Sequence, residues 1–270
     1  MEFGYIRHKL DNEKLNEKLF NKKKIAIAFE NKESINPEDY GTSGKSALTI
    51  LLKFCEKGFI IAADYPTINA ASLYLGEIKA GSQIQLENIE GYWYKIVQLE
   101  NVKEIPFNKY KILNTIRPIR STISRWPKAY KILQCIYEDK PLPEEVTSLT
   151  SGELEVICSE YLKVFGVIIA PLLKVGGTQP KIDIAGIGIE GKNVYAQVSF
   201  TDNKKKIENK IDLLQSFESE DSILIYFGPK AMNEIFEGIT YIAIEDVFAT
   251  FMMYPFSTHY LMIQEMIYGL

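Results

Sequence analysis

The strongest constraint on the fold of this 270-residue chain is the segment 181–200, KIDIAGIGIEGKNVYAQVSF. Its apolar residues form two short strand-like runs, and the Gly- and Asn-containing stretch between them predicts a tight turn. The hairpin places Asp183 early in its first strand and Gln197 near the end of its second. A carboxylate in an apolar strand is costly unless it is paired or binds a metal. We therefore expect Asp183 to have a function.

The neighbours of this hairpin predict a layered α/β domain over residues 150–270. The segment LTSGELEVICSEYLKVFG has apolar residues at helical spacing, and Ser151 is expected to cap that helix. After it come a strand at VIIAPLL, the hairpin, the charged helix DNKKKIENKIDLLQSF and the strand DSILIYFG. Further helices are predicted around AMNEIF and IEDVFATFMMYPF. The order is thus helix, three strands, helix and strand.

Residues 1–127 predict a separate, β-rich domain. Short apolar segments separated by Gly or Asn turns occur at KIAIAF, FIIAADY, SLYLGEI, QIQLENI and YWYKIVQLENV. A polar loop up to Ser46 and one helix, ALTILLKFCEKG, interrupt them. This spacing predicts a small mixed β-barrel. With a helical connector at 128–149, the chain is expected to be an α+β protein of two domains.

Composition and charge narrow the classes of function. With 46% apolar residues and no apolar run near the roughly 18 residues of a membrane span, we expect a cytoplasmic protein with no membrane partner. Two histidines and three dispersed cysteines favour neither a histidine metal cluster nor disulfides. Residues 1–127 hold 19 Lys and Arg against 15 Asp and Glu, whereas 128–270 hold 12 against 20. The basic excess of residues 1–127 is compatible with phosphate contact, although charge alone favours a solvated surface.

The element order and the acidic positions of residues 150–230 resemble the PD-(D/E)xK nuclease fold, in particular its Mrr-like restriction endonuclease branch. Leu154-Glu155 matches the acidic pair on the first helix, ahead of Gly166. Asp183 follows a Gly-containing loop, and Gln197, with thirteen residues between them, begins the third motif. The resemblance implies a catalytic site at Asp183, Gln197 and Glu155, the three residues that would also bind Mg²⁺ or Mn²⁺. The Val198 carbonyl is a further ligand in such folds.

The third motif departs from this family because Ser199 stands where the family has lysine. That lysine orients the attacking water and offsets charge on the phosphate, and a serine does neither well. Another lysine could reach the site, with Lys181 as the first candidate and Lys204, Lys205 and Lys206 as others. Alternatively, the domain cleaves only slowly or in an assembly, or it is a nuclease fold kept for DNA binding or scaffolding.

Residues 1–125 resemble PUA-like domains, particularly EVE-type modules, in the order of GYIRHKL, KIAIAFEN, GFIIAADY, SLYLGEI and RPIRSTISRW. Such modules hold a flipped, often modified base against aromatic side chains, while basic residues contact the backbone. The resemblance implies that Arg117, Arg120 and Arg125 bind phosphates. Lys204 and Lys205 are further candidates for phosphate contact because they lie beside the predicted nuclease site, although a solvated helix start also explains them. The candidates for base stacking are Tyr65, Tyr92, Trp93, Tyr94 and Trp126.

The sequence GTSGKS at 41–46 invites a different interpretation as a nucleotide phosphate loop. The full motif has a glycine where this chain has Asp39, and its loop follows a strand directly. An ATP-dependent enzyme that uses Lys45 and Ser46 is therefore a minor alternative.

Together, the two resemblances imply a modification-dependent restriction or defence endonuclease that acts on DNA. The alternative is a catalytically inactive DNA-binding or scaffold protein with the same fold. Because cutting both strands commonly needs two sites, a homodimer is expected. The apolar C-terminal segment, FMMYPFSTHYLMIQEMIYGL, would form part of its interface or pack in the core.

Overall fold

The computed structural model describes residues 2–8, 13–172, 182–232 and 236–269. The chain divides into two compact units, Met1–Pro143 and Glu144–Leu270. Helices and strands are mixed in both units, which confirms the predicted α+β class. None of the described helices is long and apolar enough to cross a membrane.

The first unit combines a buried central strand with a long covering helix. Its helices are α1 Glu13–Asn21, α2 Thr42–Lys57, α3 Lys111–Ile116 and α4 Tyr130–Tyr137. Its strands are β1 Phe3–Arg7, β2 Lys24–Ile27, β3 Phe59–Asp64, β4 Ser72–Ile78, β5 Gln85–Ile89, β6 Tyr92–Gln98, β7 Glu100–Pro106 and β8 Ile123–Arg125. The helix α2 begins at Thr42, earlier than the predicted start after Ser46.

The strands of this unit form two sheets, with the orders β7-β4-β3-β1-β8 and β2-β6-β5. The central strand β3 pairs parallel with β1 and antiparallel with β4, and all six of its residues are buried. Leu51 and Phe54 of α2 belong to the same hydrophobic core. Neither sheet closes on itself among the described strands. The structure therefore shows two open sheets in this unit and not the closed barrel that was predicted.

A buried ionic cluster lies where β1 and β3 end side by side. The Asp64 side chain is 0% exposed, and its Oδ2 accepts hydrogen bonds from the Tyr5 hydroxyl at 2.7 Å and from Arg117 at 3.2 Å. Arg7 Nε lies 4.0 Å from the same oxygen. The Arg117 guanidinium also lies over the ring of Phe107. Since a buried charge is tolerated only when it is paired, this cluster holds the ends of the two strands together.

The second unit has the element order that the sequence predicted around the hairpin. Its helices are α5 Ser151–Val164, α6 Lys204–Gln215, α7 Ile244–Met252 and α8 Thr258–Tyr268. Its strands are β9 Ala170–Pro171, β10 Ile184–Ile187, β11 Asn193–Val198, β12 Ser222–Gly228 and β13 Ile239–Ala243. The strand β13 and the helix α8 were not predicted. Part of the predicted AMNEIF helix, residues 233–235, lies outside the described residues.

One mixed sheet, in the order β13-β12-β11-β10-β9, organises this unit. The strands β9, β10 and β11 pair antiparallel, whereas β11, β12 and β13 pair parallel. The helix α6 contributes Ile207, Ile211 and Leu214 to a buried cluster that includes Leu224 and Tyr226 of the sheet. The antiparallel pairing brings the start of β10 beside the end of β11.

The cap of α5 differs from the sequence expectation by one residue. Thr150, not Ser151, is the N-cap: its hydroxyl accepts a hydrogen bond from Glu153 N at 3.3 Å, and the Glu153 carboxylate accepts one from Thr150 N at 2.8 Å. This reciprocal pair is a capping box, which fixes the start of the helix that carries Glu155.

Candidate catalytic site

The geometry of the site begins with the pairing of β10 and β11. Asp183 immediately precedes β10, and its N–H donates to Ala196 O at 3.2 Å. Its side chain turns to the end of the neighbouring strand, where Oδ2 accepts a hydrogen bond from Val198 N at 2.8 Å. The carboxylate is therefore held in one orientation at the strand ends.

A lysine from α6 completes this contact. Lys210 Nζ donates to Asp183 Oδ2 at 2.8 Å and to Val198 O at 2.7 Å. Lys210 lies three residues after Ile207 and just before Ile211, so it shares the helix face that packs on the sheet. The lysine side chain is 31% exposed and that of Asp183 is 23% exposed. The pair is thus partly buried and open to solvent on one side.

Three of the lysines that the sequence indicated lie at the start of α6, away from this contact. Lys204, Lys205 and Lys206 form the exposed first turn of α6, which Asn203 caps by accepting a hydrogen bond from Lys206 N at 3.2 Å. Lys181 lies outside the described residues. The lysine observed at Asp183 is one that the sequence interpretation missed. The sequence feature that could have identified Lys210 is its position beside the apolar residues of an amphipathic helix, where a charged side chain is unusual.

Glu155 lies on α5, close enough to Asp183 for the two charges to repel. It is partly buried, and its pKa is raised, first by burial and then by the negative charge of Asp183, while Lys210 acts in the opposite direction. The raised pKa of Glu155 beside a second carboxylate marks a place where an additional cation would be stabilising.

Replacing Glu155 with glutamine is expected to increase the free energy of unfolding at about pH 7.5 in metal-free buffer. A carboxyl group with a raised pKa binds protons more tightly in the folded protein than in the unfolded chain, so its contribution to stability is lost as pH rises. The gain should therefore disappear near pH 4, where the carboxyl group is protonated in both states. Urea denaturation followed by circular dichroism at both pH values measures this difference.

The matched control for this experiment is Glu208→Gln, which removes an exposed carboxylate from α6. It should change stability little at either pH. An equal gain from Glu155→Gln at both pH values, or a loss at pH 7.5, would contradict the described environment of Glu155.

The third predicted acidic-motif position, Gln197, is 2% exposed in β11. It pairs in register with Tyr226 of β12, so the two side chains project from the same face of the sheet. Ser199 follows β11, and its N–H donates to Phe227 O at 2.9 Å. The end of β11 is thus fixed from both neighbouring strands.

The oxygen atoms of this site suit a hard divalent cation. No group of three His, Cys, Asp or Glu side chains in the described part of the chain is arranged to hold a metal ion. However, Mg²⁺ needs only one or two carboxylates and completes its shell with water and carbonyl oxygens. The Asp183 carboxylate and the Val198 carbonyl keep lone pairs beyond those that accept the Lys210 ammonium, so they can bind an ion beside it. The residues present therefore fit Mg²⁺ or Mn²⁺.

In the first unit, the structure places the predicted nucleic-acid contacts in different environments. Arg117 is engaged by Asp64, whereas Arg120 is exposed and Arg125 is exposed with Glu2 at 3.7 Å. Of these three arginines, Arg120 and Arg125 are therefore accessible to a phosphate, whereas the charge of Arg117 is paired with a buried carboxylate.

The predicted stacking residues are also divided between core and surface. Tyr65 and Trp126 are each 2% exposed; the Tyr65 hydroxyl donates to Lys24 O and Trp126 Nε1 donates to Ile116 O. Tyr94 is buried, Trp93 is partly buried and Tyr92 is 58% exposed. Tyr65 stacks on His8, whose burial lowers its pKa to about 3. A base could therefore reach Tyr92 and Trp93 more readily than the core pair.

An aromatic cavity of about 330 Å³ lies beside Tyr65. Its walls are Phe20, Asn21, Lys23, Tyr65, Tyr74, Leu99, Val102 and Glu104. This cavity was not predicted, because Phe20 and Tyr74 come from segments that the sequence did not connect.

Carboxylates occupy the neighbourhood of the phosphate-loop-like segment. Lys45 Nζ lies 2.6 Å from Glu38 Oε2, and Gly41 N donates to Glu30 Oε1 at 2.8 Å. Both groups that a phosphate would need are therefore bound to acidic side chains. This arrangement disfavours the nucleotide-binding alternative.

No protein-family model matches the chain, and no curated protein matches it. Among solved structures, it is similar to a chain in the structure of an EndoMS–dsDNA2 complex, with 12% identity, a TM-score of 0.25 and coverage of 64% of this chain and 73% of that one. It is also similar to a repair endonuclease from Pyrococcus abyssi, with 10% identity, a TM-score of 0.25 and coverage of 82% and 99%. The proposals below are based on the geometry of the site.

Proposed function

We propose that residues 150–270 form a metal-dependent nuclease domain of the PD-(D/E)xK, Mrr-like type that hydrolyses phosphodiester bonds in DNA. The observation that carries this proposal is the contact of Lys210 with both Asp183 and the Val198 carbonyl. We infer that Lys210 supplies the ammonium group that Ser199 does not provide. For that reason an active enzyme is favoured over the inactive scaffold.

The proposed roles follow from the contacts of each group. Asp183, Glu155 and Gln197 would hold Mg²⁺ or Mn²⁺, with the Val198 carbonyl as a further ligand. When bound, the ion supplies a Lewis acid that polarises the phosphate and lowers the pKa of a water molecule. The Val198 N–H keeps the Asp183 carboxylate in its orientation.

Lys210 supplies the positive charge of the site. An ammonium group beside the attacked phosphate stabilises the negative charge that develops on its oxygens. Its partial exposure leaves the ammonium accessible to a substrate. Lys204 and Lys205, exposed at the start of the same helix, are proposed to contact the DNA backbone.

We further propose that the first unit recognises modified DNA in the manner of a PUA-like or EVE-like module, which would make the protein a modification-dependent restriction or defence endonuclease. Arg120 and Arg125 support this proposal as exposed cations, and Trp93 as a partly exposed ring. A homodimer would bring two sites to the two strands of a duplex.

The direct test is cleavage of supercoiled plasmid, methylated and unmethylated, in Mg²⁺ or Mn²⁺. The wild-type protein should nick the plasmid, EDTA should prevent nicking, and Asp183→Asn should reduce the rate by at least about 100-fold because a metal-binding carboxylate is lost. Asp212→Asn, which changes an exposed carboxylate on α6, is the matched control and should cleave like the wild type. DNA binding without cleavage by the wild type would favour the scaffold alternative instead.

A further inference from the structure

Tyr226 lies near the centre of β12 and carries its hydroxyl group into the interior of the second unit. The side chain is 0% exposed, and its hydroxyl has no hydrogen-bond partner among the described residues. A buried polar group without a partner lowers stability, so a phenylalanine would fill this position at less cost. The hydroxyl therefore calls for an explanation other than packing.

The hydroxyl lies beside the proposed catalytic site. Tyr226 pairs in register with Gln197 and shares its face of the sheet. Burial raises the pKa of Tyr226, the Ser199 side chain lowers it and the charge of Asp183 raises it again, although no hydrogen bond of ordinary geometry joins the Tyr226 hydroxyl to either residue. The phenol therefore stays protonated at neutral pH, able both to donate and to accept a hydrogen bond.

Tyr241, on the next strand, provides a comparison because its hydroxyl group makes a hydrogen bond. Tyr241 pairs in register with Tyr226, and the two ring centroids lie 6.1 Å apart. The Tyr241 hydroxyl donates to the carbonyl of Pro229. The two residues thus have the same chemistry and the same sheet face, but among the described residues only the Tyr241 hydroxyl has a hydrogen-bond partner.

We propose that Tyr226 is a positioning residue of the nuclease site, whose hydroxyl, together with that of Ser199, holds a water molecule that also contacts Asp183. Three polar groups around one point are enough to bind a buried water molecule. This inference rests on the proposed function, because that water is the one placed for attack on the phosphate. Ser199 then has a role of its own beside Lys210.

The test compares Tyr226→Phe with Tyr241→Phe in the full chain. Hydrogen exchange measured by mass spectrometry over residues 193–198 and 222–228 should show unchanged or greater protection for Tyr226→Phe, and lower protection for Tyr241→Phe. In cleavage assays, Tyr226→Phe should lower kcat by about 10-fold, with KM for DNA within about twofold of the wild type. Tyr241→Phe should keep the wild-type kcat.

Each outcome decides the inference. Wild-type kcat in Tyr226→Phe, or loss of protection as large as in Tyr241→Phe, would overturn the positioning role and leave the proposed nuclease standing. A wild-type protein that does not cleave DNA in either metal would overturn both. The two failures are therefore distinguishable.

Discussion

Replacement of Lys210 with methionine is expected to reduce the rate of metal-dependent DNA cleavage by at least about 100-fold. Methionine keeps an unbranched side chain on the buried face of α6 but removes the ammonium that binds Asp183 Oδ2 and Val198 O. The charge that offsets the phosphate is lost, whereas the packing of Ile207 and Ile211 remains. Initial rates on supercoiled plasmid, with protein in excess over DNA, measure the chemical step.

The matched control is Lys205→Met, which removes an exposed ammonium from the first turn of the same helix. It should weaken DNA binding slightly and leave the rate at saturating protein unchanged. If Lys205→Met lost as much rate as Lys210→Met, the effect would come from general charge and not from the contact with Asp183.

Replacement of Asp64 with asparagine is expected to lower the free energy of unfolding of the first unit by about 3 kcal/mol. Asparagine is nearly isosteric, but it leaves Arg117 and Arg7 without the negative charge that they approach at 3.2 Å and 4.0 Å. Urea denaturation followed by tryptophan fluorescence measures this unit selectively, because Trp93 and Trp126 are the two tryptophans of the chain.

Asp139→Asn provides the control for that measurement. Asp139 lies 2.8 Å from Lys103 in the same unit, but its side chain is 89% exposed, so its removal should cost less than about 1 kcal/mol. Equal losses for the two variants would show that the Asp64 cluster is hydrated and contributes no more than a surface ion pair.

Much of the second unit could be predicted because its signals are local. The helical spacing before Gly166 and the alternation around the hairpin predicted α5, β10 and β11, and the apolar sequence around Asp183 made it a candidate site residue. Lys210 could not be assigned, since its sequence neighbours suggest only an amphipathic helix. That α6 turns this face toward the start of β10 is a property of the tertiary fold.

The first unit was harder to predict because its main interactions join distant segments. The partner of Asp64 is Arg117, 53 positions later, and nothing local distinguishes that arginine from exposed Arg120. Tyr65 and Trp126 were likewise predicted to stack on a base, but both side chains are buried in the fold. Residue type alone suggests what a side chain can bind, but burial decides whether it is accessible.

Lys210 is proposed to take the part of the lysine missing at position 199, so an ammonium group returned to that position should restore cleavage. In the Lys210→Met background, Ser199→Lys moves the ammonium to the usual motif position, at the end of β11 beside Asp183. The double variant should cleave DNA at least about 10-fold faster than Lys210→Met. Wild-type cleavage by Lys210→Met itself, or no recovery in a double variant that still folds and binds DNA, would contradict it.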